Sequence, residues 1–166
     1  MMDKKMLDAL SSTIYAAKLS LKGESVDDDD KRIRASGLYE DWTSGNHTVG
    51  QIYNAEDQTW ECYQAYDNAV YPDIAPGNPA WFTFNRPLHG RSPETARPWV
   101  QPTHSQDIYK SGEYMIWTDG TVQRCVAPNG TDASLIDVTV NINAAAGKCV
   151  VLNFASSKIA VPNGYL

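Results

Sequence analysis

The chain predicts a mainly β fold behind N-terminal α-helices: two small β-hairpin or three-stranded modules, followed by C-terminal β-strands. Three observations carry this. A pattern of aromatics, glycine and cysteine running from Trp42 through Gly50, Tyr53 and Trp60 to Cys62 returns as Trp99, Tyr109, Gly112, Trp117 and Cys125. A returning pattern of this kind marks one supersecondary unit used twice. Ahead of it, Leu7, Leu10, Ile14, Ala17 and Leu21 recur three, four, three and four residues apart, the spacing of a helical stripe. Behind it, Ile136, Val138, Val140 and Ile142 alternate with Asp137, Thr139 and Asn141, the period of a strand with one apolar face. The expected parts are a helical attachment or oligomerisation segment (1–37), a first β unit (38–85), a linker and second β unit (86–129) and a C-terminal β segment (130–166).

The helix expected over 3–21 carries its apolar residues as a narrow heptad seam, which suits pairing with another helix. Such a seam can equally dock on its own domain, since a lone helix of this length is marginal in water. Lys22-Gly23-Glu24 ends it. Ser25 is placed to cap a second helix, with Asp27 to Asp30 in its first turns where carboxylates complement the positive end of the dipole. This second helix reads as solvent-exposed and charge-complemented.

In the first β unit, Gln51-Ile-Tyr53 and Thr59-Trp-Glu-Cys-Tyr63 flank Ala55-Glu-Asp-Gln58, read as the longer of the two hairpin turns. In the second, Glu113-Tyr-Met-Ile-Trp117 and Val122-Gln-Arg-Cys-Val126 flank Asp119-Gly120, a tight turn built on positive φ. Asn85 to Pro98 holds three prolines and reads as a connector. The two C-terminal strands need a sheet to join, in this chain or a neighbour's.

The chain has 166 residues, a net charge of −6 and a pI near 4.9. That balance argues against nucleic acid as a partner, because binders of a phosphate backbone gather Lys and Arg on one face. No stretch approaches the roughly 20 apolar residues that span a bilayer, and the N-terminus lacks the basic-then-apolar signal-peptide pattern. The expectation is therefore no membrane partner and synthesis in the cytoplasm. Cys62, Cys125 and Cys149 have no metal-like spacing. The first two hold the same place in the two units, so each reads as a small buried residue rather than half of a bridge.

Catalysis by a nucleophile, or by paired carboxylates, needs groups for which the sequence offers no local signature. His47, His89 and His104 stand alone, without the short spacings of a zinc site, and read as solvated or hydrogen-bonded loop residues. No glycine-rich loop follows a strand to open a helix. The chain reads as a non-enzyme without a cofactor. The remaining signal is an excess of aromatics: five Trp and nine Tyr in the chain, more than two small cores enclose, so some are expected at the surface. Flat rings on a rigid β surface suit the apolar face of a sugar. Most of Trp42, Trp60, Trp81, Trp99 and Trp117 are assigned to the cores.

The order of these residues resembles the small chitin-binding carbohydrate-binding modules of families five and twelve. It does so through Trp42, Val49-Gly50-Gln51, Trp60-Glu61-Cys62 and Pro76-Gly-Asn-Pro-Ala-Trp81, and less fully through Trp99, Tyr109, Gly112-Glu113, Trp117 and Cys125. Over about residues 3 to 128 the chain is also similar to short proteins of tailed phages and prophages of Gram-positive bacteria. The landmarks are Leu38-Tyr-Glu-Asp-Trp42 and Trp99-Val-Gln-Pro-Thr103. The usual aspartate after glycine is Gln51 and Glu113 here, and Tyr63-Gln64-Ala65 stands where the modules carry exposed tandem tryptophans. The resemblance implies a virion component made in the host cytoplasm, with other virion proteins and further copies of itself as partners. It also implies a possible affinity for cell-wall polysaccharide, with Tyr63, Tyr66, Tyr71 and Trp81 as the sugar-facing candidates. Leu7, Leu10, Ile14, Ala17 and Leu21 are the candidates for oligomerisation. The rival expectation is a head-decoration or tail-ornament protein without sugar affinity.

Overall fold

The computed structural model describes residues 3–126 and the backbone of 138–143 and 148–153. It divides into two compact units, 1–88 and 89–166. Within the first, α1 (Lys4–Leu21) starts at Asp3, whose carboxylate accepts the Met6 amide. The helix α2 (Asp29–Arg34) is capped by Asp28 rather than by Ser25, the Asp28 side chain accepting from the Lys31 amide. A 3-10 turn, Ser36–Leu38, leads into the β region.

There β1 (Asn46–His47), β2 (Ile52–Ala55), β3 (Gln58–Cys62) and β4 (Tyr66–Asp67) follow, then a 3-10 turn at Pro79–Trp81 and β5 (Asn85–Pro87). Strands β2, β3 and β5 form a three-stranded antiparallel sheet with β3 central, and β1 pairs with β4 as a separate ribbon. Around them Tyr53, Trp60, Cys62, Ile74, Phe82 and Leu88 are buried, with Leu19, Ile33 and Ala35 from the helical segment.

The second unit runs through a 3-10 turn at Pro93–Thr95, β6 (Arg97–Pro98), a 3-10 turn at Ser105–Asp107, β7 (Tyr114–Ile116), β8 (Val122–Arg124), β9 (Val138–Asn143) and β10 (Lys148–Asn153). Its sheet has the order β10-β9-β8-β7-β6, with β6 parallel to β7 and the rest antiparallel. The C-terminal strands thus join a sheet of this chain. Ile136 and Phe154, which the alternation included, lie outside the described residues. Ala96, Tyr109, Met115 and Cys125 are buried, with Trp99 packed against the cluster that the last three form.

Helix and sheet are mixed, where the sequence predicted a mainly β chain. The reason is that no strand of the hairpins exceeds five residues, whereas α1 alone has 18. The stretch read as a connector contributes strands at both its ends, β5 and β6. Both lie at sheet edges, where a proline's missing N–H costs no ladder bond.

The duplication is visible in the hydrogen bonds. In the first unit Gly50 N–H donates to Cys62 C=O at 2.8 Å and Cys62 N–H to Gln51 C=O at 2.8 Å; in the second Gly112 donates to Cys125 and Cys125 to Glu113, both at 2.7 Å. Gly50 and Gly112 have φ of +83° and +91°, a region open to glycine without steric cost. Trp42 N–H donates to Asn54 C=O and Trp99 N–H to Ile116 C=O, each at 2.8 Å. The residue leading into each tryptophan makes a parallel pairing, Asp41 with Asn54 and Pro98 with Ile116. This register equates Tyr53 with Met115 and Trp60 with Gln123, so of the residues in the repeated sequence pattern only Trp42/Trp99, Gly50/Gly112 and Cys62/Cys125 are true equivalents.

The turns reverse their expected lengths. Glu56 and Asp57 both take positive φ, 52° and 61°, a two-residue hairpin loop. In the second unit's hairpin Trp117 N–H reaches Thr121 C=O, and within the loop Gly120 alone has positive φ, a loop one residue longer.

Candidate functional site

Each unit stacks two rings under its leading tryptophan. In the first, Trp42 lies on His47 (centroids 5.8 Å, 14° between planes) and His47 on Tyr66 (4.7 Å, 28°). In the second, Trp99 lies on Tyr109 (4.9 Å, 19°) and Tyr109 on His89 (3.7 Å, 10°). The middle position, His47 or Tyr109, is equivalent in the repeat. Phenol and imidazole have therefore exchanged places in the stack. Of the two states expected of these histidines, solvated or hydrogen-bonded, His47 and His89 take the second: both are buried, with His47 Nε2 bonded to Thr43 C=O at 3.0 Å and His89 Nδ1 to Glu113 at 3.1 Å.

The position after the turn glycine has a structural task. The Gln51 side-chain oxygen accepts from Thr48 N–H at 3.3 Å, and Glu113 accepts from Lys110 N–H at 2.7 Å. A side-chain oxygen closes this turn in both units, and Gln and Glu each supply one.

Of the four sugar-facing candidates, the structure exposes two. Tyr63 is 51% and Tyr71 is 61% accessible. Tyr66 is buried and committed to a polar network: its hydroxyl accepts from Trp42 Nε1 at 2.9 Å and donates to Asn85 Oδ1 at 3.0 Å, and Tyr53 also bonds to Asn85 Oδ1. It is thus a core residue and not a stacking platform. Burial, then the hydrogen bond and charge of Tyr66, hold the Tyr53 phenol above its ordinary pKa. Trp81 is half-buried and packs edge-on against Phe84 at 5.9 Å, which packs in turn on Tyr66 at 6.0 Å.

The two exposed tyrosines sit on anchored backbone. Tyr63 N–H donates to Phe84 C=O at 2.7 Å, and Tyr71 N–H to Asp67 C=O at 2.9 Å. The loop carrying Tyr71 is stapled from within by Asn68, whose amide donates to Pro72 C=O at 3.0 Å and Ile74 C=O at 2.8 Å. Asn68 is consumed by that role, leaving Gln64, which is exposed, as the polar neighbour available to a ligand. Val70, next to Tyr71 in the chain, is also exposed, at 62%.

Sequence reasoning missed a second pair of surface rings. Trp99 and Trp117 are both half-buried, with centroids 5.0 Å apart and planes tilted by 51°. Spacing along the chain could not reveal that β6 and the end of β7 bring them together. Only Trp60 of the five tryptophans is fully enclosed. Cys62 and Cys125 are buried thiols outside any disulfide, at matching places, and burial, with the nearby Glu61 charge, pushes the Cys62 thiol up to about 11. Among the described residues no cluster of three His, Cys, Asp or Glu is placed to hold a metal ion, and no helix is long and apolar enough to cross a membrane.

No known protein family, curated protein or solved structure matches this chain.

Proposed function

We propose that the protein is a non-catalytic, tail-associated virion component whose two small β units are built on the plan of carbohydrate-binding modules, the first of them gripping cell-wall polysaccharide. The observation that carries the reading is the pair of exposed tyrosines, Tyr63 and Tyr71, on backbone pinned by Phe84, Asp67 and Asn68. A ring that is exposed yet held costs little entropy to use, which is what stacking on a sugar needs. Gln64 supplies a donor and an acceptor beside it.

A second reading, a decoration or ornament protein without sugar affinity, draws on Val70 and Val49. These apolar side chains, 62% and 67% exposed, suit a protein neighbour better than a hydroxyl-rich one.

A glycan array, followed by binding to purified Gram-positive cell-wall polysaccharide, tests the first reading. With ring contacts worth about 1 kcal/mol each, Tyr63→Ala or Tyr71→Ala should weaken binding roughly fivefold and the double change about thirtyfold. Binding that survives the double change moves the site elsewhere. A wild-type protein that binds no glycan turns the argument to the second reading.

A further inference from the structure

The heptad seam of α1 is not buried by the described residues of its own unit. The helix packs through its other side: Leu19 and Ser12 are buried, Ser12 Oγ donates to Arg34 C=O at 3.2 Å, and Gly37 N–H donates to Ser12 Oγ at 3.1 Å. The seam is left outward, with Leu7, Leu10 and Ile14 each 48% exposed and Leu21 89%, and Ala17 and Met6 exposed beside them. Among the described residues this is the longest run of exposed apolar side chains on one element.

We infer that the occupant of this face is α1 of further copies of the same chain, parallel and in register, in a closed bundle about a rotation axis. Spacing is the first ground. A three-four repeat is self-complementary, because each seam residue fits between four on an identical helix. Pre-ordering is the second. Two heptads are normally too short to associate, since helix formation must be offset as well; here the packing against Ser36–Leu38 has already ordered the helix.

Charge is the third ground and sets the direction. The seam is flanked on one side by Lys4, Ser11 and Lys18 and on the other by Met6, Thr13 and Ser20, all exposed. Parallel helices set one flank against the other and bring no like charges together. They also use all five layers, Leu7, Leu10, Ile14, Ala17 and Leu21. Antiparallel registers leave Leu7 or Leu21 without a layer, and the one that keeps Leu7 sets Lys4 against Lys18 of the other copy. Size is the fourth. A stable pair interface takes about 20 to 30 residues a side, more than one such seam offers, so the bundle closes with three or more helices, each touching two neighbours. The inference stands on α1 alone and holds whether or not the β units take sugar.

Light scattering on the purified full chain should return a whole multiple, threefold or more, of 18.4 kDa. Leu10→Asp should return a single 18.4 kDa chain with unchanged circular dichroism, because Leu10 is no part of its own core. Ala17→Asp, at a small exposed side chain, gives the same answer should Leu10→Asp fold poorly. Ala17→Leu fills the thinnest layer and should tighten assembly tenfold or more. Under mild oxidant Leu10→Cys should cross-link to itself. A wild type that stays monomeric at a few hundred micromolar would mean another partner covers the face. Mass unchanged by both Asp variants, or a mixed disulfide between Leu7→Cys and Ala17→Cys chains, would equally overturn the proposal.

Discussion

At the scale of single residues, the molecule is specified by close approaches more than by bulk hydrophobicity. Gly37 is a sharp case. A Cβ there would lie 2.5 Å from the carbonyl carbon and oxygen of Asp8 and 2.7 Å from the Ala9 nitrogen. These are backbone atoms of α1, and they cannot rotate away as a side chain could. Gly37→Ala should therefore cost on the order of 3 kcal/mol, at the upper end of overpacking penalties, read as a lower urea midpoint. Proteolysis between α1 and α2 should accelerate with it, because the helix must lift to make room. Nothing in the sequence marks Gly37, a glycine between serine and leucine, as a packing contact. Cys62 and Cys125 were legible, because their equivalence follows from the repeat. Tyr66 was not: a tyrosine between alanine and aspartate reads as surface, and its burial comes from β1, which lays His47 over it.

At the scale of elements, α2 shows how charge joins parts that sequence reading kept apart. Arg86 of β5 donates to both Asp29 oxygens at 2.8 Å and to Glu61 of β3 at 2.7 Å, and Arg32 lies 3.5 Å from Glu61. The aspartates read as a solvent-exposed, dipole-complementing run thus divide: Asp27 and Asp28 face water, while Asp29 clamps the helix to the sheet. Burial alone would lower the Arg86 pKa, but the hydrogen bond and charge of Asp29, then the charge of Glu61, outweigh it and raise it. Removing the guanidinium leaves two part-buried carboxylates with the more distant Arg32 between them, so Arg86→Ala should lose about 3 kcal/mol of stability. The double change Arg86→Ala with Asp29→Ala should lose at least 1 kcal/mol less than the two single losses added. A double-mutant cycle by chemical denaturation checks this, and strict additivity would show the clamp to be inert. Helix α1 and both hairpins were legible from period and turn residues. The partners of β5 and β6 were not, because proline-rich segments carry no strand period and edge pairing is decided by the strand they meet.

At the scale of the whole molecule, each unit encloses a phenol, at positions that the repeat does not equate, with consequences at high pH. Tyr53 in the first and Tyr109 in the second are enclosed, and burial raises both above the ordinary value of 10.0. For Tyr53 the neighbouring Tyr66 adds to the rise; for Tyr109 the hydrogen bond to Val100 N–H opposes it but does not cancel it. A phenol whose folded pKa exceeds its unfolded one favours the folded state fully below pH 10. That contribution declines as pH rises past 10, because the unfolded chain then gives up protons that the folded chain keeps. Each unit should therefore lose stability above about pH 10. In a spectrophotometric titration, some of the nine tyrosines should ionise only as the fold is lost. Tyr53→Phe and Tyr109→Phe test the units separately. Tyr109→Phe, which gives up one hydrogen bond at 3.2 Å to Val100 N–H, should cost about 1 kcal/mol at neutral pH and flatten the alkaline decline. Tyr53→Phe should cost more, since it leaves Asn85 and Tyr66 with one fewer partner in an enclosed network. If all nine phenols titrate together near pH 10 with the fold intact, Tyr53 and Tyr109 are open to water, and the enclosure argued for both units fails.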